Sequence, residues 1–266
     1  MSQIFISIIM PCYNSGMYLE HAIQSVLDQS YSNWELLIID GGSTDSSLEC
    51  ALEQQRSDAR VKLILNPNDT GPAQARAFGI NRAQGEVIAF LDADDVWLSE
   101  KLERQLRFMT DNSYDFTFTD YRTISSSGRV SSARLSGWRE NSFNQYLRRR
   151  GIANSTVMVR KECISDQVLN AIDKRLGEDT LWWLLILKSG KKAYALKEVL
   201  ALYRKVANSR SSFVLENQLA VWQMYRSELN LSLMRTIFSY TGYLVDVSGR
   251  RLLFLVGDIV GRRNGS

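Results

Sequence analysis

Histidine and cysteine are scarce in this sequence: one histidine, His21, and three cysteines among 266 residues. That scarcity removes whole chemistries. A multi-histidine metal site is impossible, and a Ser-His-Asp triad would have to pass through His21 alone. Cys12, Cys50 and Cys163 lie far apart with no C-x-x-C pair, so neither a zinc ribbon nor a redox dithiol is expected. An odd, sparse set of thiols suits a reducing compartment. No apolar run reaches the roughly 18 residues of a membrane span. The run from Ile4 to Met10 lacks a preceding Lys or Arg and is too short for a secretory signal. A cytoplasmic chain with at most peripheral membrane contact is therefore expected. No G-x-G-x-x-G follows the first strand and no Walker A segment occurs, which disfavours dinucleotide oxidoreductases and P-loop enzymes. With 32 basic and 29 acidic side chains, the net charge of +3 is too balanced for a protein that coats nucleic acid.

The residues that are present, 45% hydrophobic and 23% charged, are those of an ordinary globular protein with a large core. The first half alternates strand-like and helix-like segments. Phe5 to Met10 is an apolar β-rich run expected to end at Pro11. Leu19, Ala22, Ile23, Val26 and Leu27 recur at helical spacing, with His21 off that stripe and facing solvent. Trp34 to Ile39, Val61 to Leu65, Glu86 to Leu91 and Tyr114 to Tyr121 read as further strands. Ser46-Ser47-Leu48-Glu49 reads as a capping box, Pro72 as a first helical residue, and Ser99 as a cap for the helix after it. Strands apolar throughout, each followed by an amphipathic helix, indicate a parallel sheet covered on both faces. Ligands of such sheets sit beyond the carboxyl ends of the strands. The polar clusters Pro11–Asn14, Asp40–Asp45 and Asp92–Asp95 are then expected to face one crevice.

Past residue 122 the pattern loosens. Ser125 to Ser132 reads as a surface loop, Asn154 to Arg160 as one more strand, and Glu178 to Lys188 as a buried helix rich in Trp and Leu. Beyond Phe213 the chain reads as helical and basic. From Ala201 to Ser266 there are nine Lys/Arg and four Asp/Glu, +5 in all, which leaves −2 for the rest. Arg235, Arg250, Arg251, Arg262 and Arg263 are interleaved there with apolar residues. Such a pattern serves either an anionic membrane surface or a helical extension that packs on its own domain or a second copy. Arg148-Arg149-Arg150 could meet an acceptor phosphate or form a solvated face.

The acidic cluster Asp92-Ala93-Asp94-Asp95 directly after a buried strand carries the strongest chemical signal. Crowded carboxylates repel one another and are costly to bury unpaired, but an Asp-x-Asp pair suits a divalent cation that is also held by substrate phosphates. The alternative is a solvated turn that caps the following helix.

These residues resemble a known family. Ile8-Ile9-Met10-Pro11-Cys12-Tyr13-Asn14 is similar to its opening strand and turn, and Trp34 to Asp45 to its second block. Ala75-Arg76-Ala77-Phe78-Gly79, followed by Ala83-Gln84-Gly85-Glu86 and Asp92–Asp95, is similar to its third. The likeness resumes at Gly177-Glu178-Asp179 and at Leu202-Tyr203-Arg204 to Ser209 and Ser212. The pattern is that of family 2 inverting glycosyltransferases of the GT-A fold. The resemblance implies an α/β fold with a mostly parallel, Rossmann-like central sheet flanked by helices and a helical C-terminal extension. Residues 1–212 would be the catalytic domain, with a nucleotide-sugar-binding half (1–121) and an acceptor-side half (122–212), and 213–266 the basic extension. It also implies roles. Pro11 and Tyr13 would line the base pocket, Asp40 would hydrogen-bond the base, and Arg76 would lie against base or phosphates. Asp92, with Ala93 beside it, would reach the ribose or donor sugar. Asp94 would coordinate Mn²⁺ or Mg²⁺ at the diphosphate. Asp179 would be the general base, and Arg204 and Ser209 would close over the diphosphate. The partners implied are a nucleotide-diphosphate sugar, with UDP-sugar first, and a saccharide or lipid-linked saccharide acceptor, as in bacterial surface polysaccharide assembly. Two positions depart from the family pattern. Gly41 stands where many relatives carry a second Asp, and Ala77 replaces a common Asn, which puts base and donor preference in doubt. A catalytically silent nucleotide-binding protein remains an alternative. A sugar-nucleotide pyrophosphorylase is disfavoured, because the first turn has no Gly-rich phosphate loop with a basic residue.

Overall fold

Segments apolar on both faces need cover on both faces, and the N-terminal half supplies it. In the computed structural model the described residues are 3–67, 71–171, 178–205 and 214–263; for 178, 214–217 and 250–263 the description extends to the backbone alone. Strands β1 (Ile6–Cys12), β2 (Trp34–Asp40), β3 (Val61–Leu65) and β4 (Val87–Phe90) pair in parallel in the order β3-β2-β1-β4. Helices α1 (Gly16–Leu27), α2 (Ser47–Ser57) and α3 (Pro72–Ile80) connect them. All of β2 and β4, and all of β1 except Pro11, is buried. Gly79 allows α3 to approach closely, since a Cβ there would meet Ile9 Cγ2 at 2.9 Å and Ile39 Cγ1 at 3.1 Å.

The sheet then continues past β4. The later elements are β5 (Val96–Trp97), α4 (Lys101–Asp111), β6 (Phe116–Ser125), β7 (Val130–Leu135), β8 (Glu140–Asn141) and α5 (Phe143–Arg148). They are followed by a 3₁₀ turn (Asn154–Thr156), β9 (Met158–Arg160), α6 (Asp166–Leu169), α7 (Glu178–Lys188) and β10 (Ala193–Lys205). The chain ends in α8 (Val214–Gln223), a π-helical turn (Met224–Glu228) and α9 (Leu233–Arg263). The full strand order is β3-β2-β1-β4-β9-β6-β10-β5, with β7 paired to β6 and β8 to β10. Because β9 is antiparallel to both β4 and β6, those two run in the same direction, and β10 is parallel to β6. The sheet is therefore mostly parallel, as expected.

Helix α7 is apolar on all sides, and Leu181 to Leu187 are buried throughout. Phe90 packs edge-on against Trp182 and Trp183 at 6.4 and 5.4 Å, and Phe116 meets Trp183 at 5.2 Å. Truncating Trp183 to Ala would cost about 3–5 kcal/mol by the cavity it leaves. The same buried cluster takes in Ala220, Val221, Met224, Tyr225 and Tyr243, so α8 and α9 share a core with the sheet. Among the described residues, no helix is long and apolar enough to cross a membrane.

Several local expectations are corrected. β1 runs through Pro11 to Cys12. Ile9 O accepts from Leu91 N–H and Cys12 O from Gly41 N–H, so the alternation turns Pro11 toward β4, whose pairing has ended at Ile9; no ladder bond is lost. The segment Ser125–Ser132 is the tip and second strand of a β6–β7 hairpin, not an open loop. Ser46 occupies the cap position of α2 but makes no capping bond. Asp45 does that work instead, accepting from Ser47 N–H at 3.0 Å and from Gly16 N–H at 2.9 Å, and so holds the starts of two helices. Glu100 rather than Ser99 occupies the cap position of α4, and it too makes no capping bond. The residues expected to be one strand, Asn154 to Arg160, divide into a 3₁₀ turn and the short β9. The 13-residue β10 had no strand signal, because Lys197-Glu198 interrupts its alternation where the pairing with β6 is irregular.

Candidate functional site

The carboxyl ends of β1, β2 and β4 open at one end of the sheet, and three turns meet there. The turn after β1 is tied to the turn after β2: Asn14, at φ +48°, accepts Thr44 N–H on Oδ1 at 2.8 Å and donates its own N–H to Ser43 Oγ at 3.0 Å. Asn tolerates this left-handed geometry better than most residues. Pro11 is half-buried, and Tyr13 projects from the same turn with 63% of its surface exposed. Asp40 ends β2 almost fully buried. Its Oδ2 accepts Gly42 N–H at 2.9 Å and Ser43 N–H at 3.0 Å, while its Oδ1 is buried without a hydrogen-bond partner. Asn66, just past β3, is bonded through its N–H to Asp40 O, and its Nδ2 is likewise buried and unpartnered.

The acidic turn after β4 is held from three directions. Asp95 N–H closes it onto Asp92 O at 3.0 Å. Arg76 of α3 donates to Asp92 Oδ1 at 2.5 Å, and Asn154 Nδ2 donates to the same oxygen at 3.0 Å. Asp92 N–H donates to Ser155 Oγ at 3.1 Å, and that hydroxyl is 2.5 Å from Asp95 Oδ2. Trp97 Nε1 donates to Ser155 O at 2.7 Å and fixes the 3₁₀ turn from below. From β10, Arg204 donates its N–H to Asp95 Oδ1 at 2.7 Å, its Nε to Asp94 O at 2.6 Å and its Nη1 to Ser125 O at 3.1 Å. Its guanidinium lies over the Tyr18 ring at 4.5 Å.

Electrostatics divides the three carboxylates. Asp94 is half-buried; burial first, and then the charge of Asp92, push its pKa up to about 6. Asp95 is 1% exposed and is also driven well above the ordinary carboxylate range, mainly by burial and then by its two neighbours. Ala93, between Asp92 and Asp94, is buried. Cys12, at the end of β1, has its thiol pushed up to about 11 by burial, which makes it unreactive.

The structure thus joins Arg76, Asp92, Asp94 and Arg204 through direct contacts, and gathers Pro11, Tyr13 and Asp40 at the neighbouring strand ends. Asp179 stands in the first turn of α7, its Oδ1 accepting Thr180 N–H at 2.7 Å, and α7 lies against α3, the helix that carries Arg76. Ser209, Ser212, Gly177 and the side chain of Glu178 lie outside the described residues. Ala77 is buried within the large core cluster that also contains Ile9 and Ile39. A cavity of about 600 Å³ lies beside the acidic turn, shares Arg204 with it, and is lined by Tyr18, His21, Trp97 and Gly128 among others. Sequence reasoning missed Asn66, Asn154, Ser155 and the anchoring part played by Asp95. The partners of Asp92 and Asp95 come from some 60 residues away in the chain, and no local pattern marks them.

A mostly parallel sheet with an Asp-x-Asp turn after its fourth strand, beside a buried carboxylate that ends the second, is the arrangement of a GT-A glycosyltransferase. The chain belongs to glycosyl transferase family 2, whose model matches residues 7–169. It is 34% identical over 247 residues to the "Putative teichuronic acid biosynthesis glycosyltransferase TuaG" of Bacillus subtilis (strain 168), covering 93% of this chain and 97% of that one. It is 32% identical over 246 residues to the UDP-Glc:alpha-D-GlcNAc-diphosphoundecaprenol beta-1,3-glucosyltransferase WfgD of Escherichia coli, covering 92% and 94%. The fold is shared with S. aureus TarS 1-349 in complex with UDP-GlcNAc (TM-score 0.70, 20% identity, 91% of this chain and 72% of that one). It is also shared with the mannosyltransferase PcManGT from Pyrobaculum calidifontis in complex with GDP-Man and Mn2+ (TM-score 0.67, 13% identity, 97% and 81%).

Proposed function

We propose that this glycosyltransferase moves a hexose from a UDP-sugar to a hydroxyl of a lipid-linked saccharide, with inversion, in the assembly of a bacterial surface polysaccharide. The observation that carries the reading is the tethered Asp92–Ala93–Asp94 turn, which holds two carboxylates at the strand ends with only one of them neutralised by a guanidinium. The pair Asp40 and Asn66 supports a pyrimidine base. Asp40 has one unpartnered oxygen, because its other oxygen is taken by Gly42 and Ser43, and the amide NH2 of Asn66 has no partner. A free acceptor and a free donor group match the single N–H and a carbonyl of uracil or thymine, whereas the two adjacent donors of guanine are better met by a carboxylate with both oxygens free. The Escherichia coli relative, whose name gives a diphosphoundecaprenol-linked GlcNAc, supports a lipid-diphosphate-linked saccharide as acceptor.

The carboxylate chemistry fits a divalent cation. Asp94 is protonated more readily than an ordinary carboxylate because burial and Asp92 leave its charge uncompensated, which is the condition a cation relieves. Among the described residues there is no cluster of three or more His, Cys, Asp or Glu side chains arranged as a complete metal site. This suits Mg²⁺ or Mn²⁺ held by Asp94, with Asp92 beside it, and completed by substrate phosphates. When bound, such a cation stabilises the negative charge that gathers on the departing diphosphate. Arg76 fixes the rotamer of Asp92 so that its second oxygen can orient the ribose or the sugar. Arg204 anchors the backbone of Asp94 and adds positive charge at the same edge. Asp179 takes the proton of the acceptor hydroxyl as that oxygen attacks the anomeric carbon from the face opposite the diphosphate, a single displacement that needs one base.

The test is a screen of UDP-, GDP- and dTDP-sugars for thermal stabilisation and for hydrolysis or transfer, with Mn²⁺, Mg²⁺ or EDTA present. Metal-dependent turnover of a UDP-sugar that is lost in Asp94→Asn is expected. Metal-independent nucleotide binding without turnover of any donor would instead establish a silent nucleotide-binding protein.

A further inference from the structure

The described part of α9 has two contrasting faces. Thr236, Ser239, Tyr243 and Val247, with Tyr240 between them, turn inward onto α8 and the core. Directly opposite, at spacings of four, three and four residues, stand Met234, Phe238, Thr241 and Val245. Met234 is 78%, Phe238 61% and Val245 74% exposed. A surface helix normally presents polar residues on the face opposite its packed stripe. Here that face is apolar, and Ile237 and Leu233 widen it. In sequence the same spacing resumes at Leu252, Val256 and Ile259.

Arginines flank this stripe, and their placement is built into the packing. Gly242 lies one turn after Phe238, and a Cβ there would meet Arg148 Cγ at 2.8 Å and Cβ at 2.9 Å. The missing side chain lets the Arg148 stem cross α9 and bring its guanidinium over the Phe238 ring at 4.6 Å. Arg235 reaches back over Phe143 at 5.4 Å and donates to Asn144 Oδ1 at 2.6 Å. Arg149 lies over the half-exposed Trp138 at 4.0 Å. None of these three has an ion pair among the described residues. The only acidic residues within the bounds of α9 are Asp246 and Asp258, against five arginines. Asp246 accepts the Arg150 N–H at 2.9 Å, toward the protein.

We infer that this face of α9, with Arg148, Arg149 and Arg235, docks the protein flat on an anionic bilayer surface. Apolar side chains would enter the headgroup boundary, and the unpaired guanidinium groups would meet lipid phosphates. Charge decides between this occupant and a second copy of the chain. A two-fold contact through the stripe would set each arginine cluster near its own image, which costs affinity, whereas an anionic leaflet neutralises it. This inference extends the proposed function by locating the acceptor side at a membrane, yet its test needs no nucleotide sugar, so the two can fail separately.

The test is flotation of the full chain with vesicles of phosphatidylcholine alone or mixed with phosphatidylglycerol, at low and high salt. The expected result is binding only to the mixed vesicles, weakened by salt. Arg148→Gln and Arg235→Gln should each lower partitioning about fivefold. Met234→Ser/Phe238→Ser/Val245→Ser should abolish it while the circular dichroism spectrum stays unchanged and Tm falls by no more than a few degrees, since these side chains face away from the core and the Arg148 contact with Phe238 is the one they lose. No flotation, or flotation indifferent to these variants, overturns the inference. So does a concentration-dependent dimer by analytical ultracentrifugation that the triple variant dissolves in the absence of vesicle binding.

Discussion

Substituting Asp94 by Asn should make the protein more stable at neutral pH and leave it unchanged in acid. Burial, helped by the charge of Asp92, lifts the Asp94 carboxyl from its ordinary value of 3.8 to about 6. A carboxyl that holds its proton more tightly when folded contributes stability that is complete below the unfolded value. That contribution disappears as the pH climbs through about 6. Two pH units correspond to about 3 kcal/mol, an upper limit because part of the side chain faces solvent. Asn keeps the shape without the charge. The stability of Asp94→Asn minus that of the parent should therefore be near zero at about pH 4 and reach about 2–3 kcal/mol by about pH 7.5, or roughly 4–10 °C in Tm. Asp95 shares the turn and the same upward push, so the difference curve belongs to the pair rather than to one residue. Mn²⁺ should reverse the order. At a hundredfold excess over its Kd it adds about 2.7 kcal/mol to the parent and much less to the variant. Differential scanning fluorimetry across this pH range, with Mn²⁺ or EDTA, reads both effects. A flat difference curve, or equal stabilisation of both proteins by Mn²⁺, would refute the assignment of Asp94.

Other consequences can be measured separately. Asp179→Asn should lower transfer by about 10²–10⁴-fold while leaving the Tm shift produced by UDP intact, and loss of both together would place Asp179 in binding rather than proton transfer. Ser155→Ala removes the hydroxyl shared by Asp92 N–H and Asp95, and should cost about 2–4 kcal/mol in chemical denaturation; a cost below 1 kcal/mol would show that the turn is held without it. Lys101 is fully buried on the Trp97 face at 3.8 Å, its amine has no hydrogen-bond partner, and burial drives its pKa well below the lysine range. The stability it contributes is present at high pH and is lost as the pH falls through that lowered value. Lys101→Met should accordingly raise Tm more at pH 6 than at pH 10, and a lower Tm at pH 6 would mean that the cation–π contact outweighs desolvation.

Much of the N-terminal half was legible from the sequence, because its signals are local. Val, Ile and Leu runs specify doubly covered strands, Pro72 starts a helix, and a carboxylate turn after a strand end marks a ligand edge wherever the sheet lies. The C-terminal half was less legible. β10 carries Lys197 and Glu198 in its middle and shows no strand period, yet it lies inside the sheet because β6 and β5 pair with it. The basic tail read equally as membrane-facing or packing, and the fold shows that one helix can do the second with one face and present an apolar stripe on the other.

The sequence by itself determined which strands end at the shared crevice and which carboxylates stand at its rim, since both follow from short-range pattern and chain order. Only the tertiary structure decided how those carboxylates are held and that Asp94 and Asp95 keep their protons more tightly than an ordinary carboxyl. Asn154, Ser155 and Arg204 reach Asp92, Asp94 and Asp95 across 60 to 110 residues of chain. The charge state of a carboxyl depends on what surrounds it in space, and burial and like-charge proximity have no signature along a sequence.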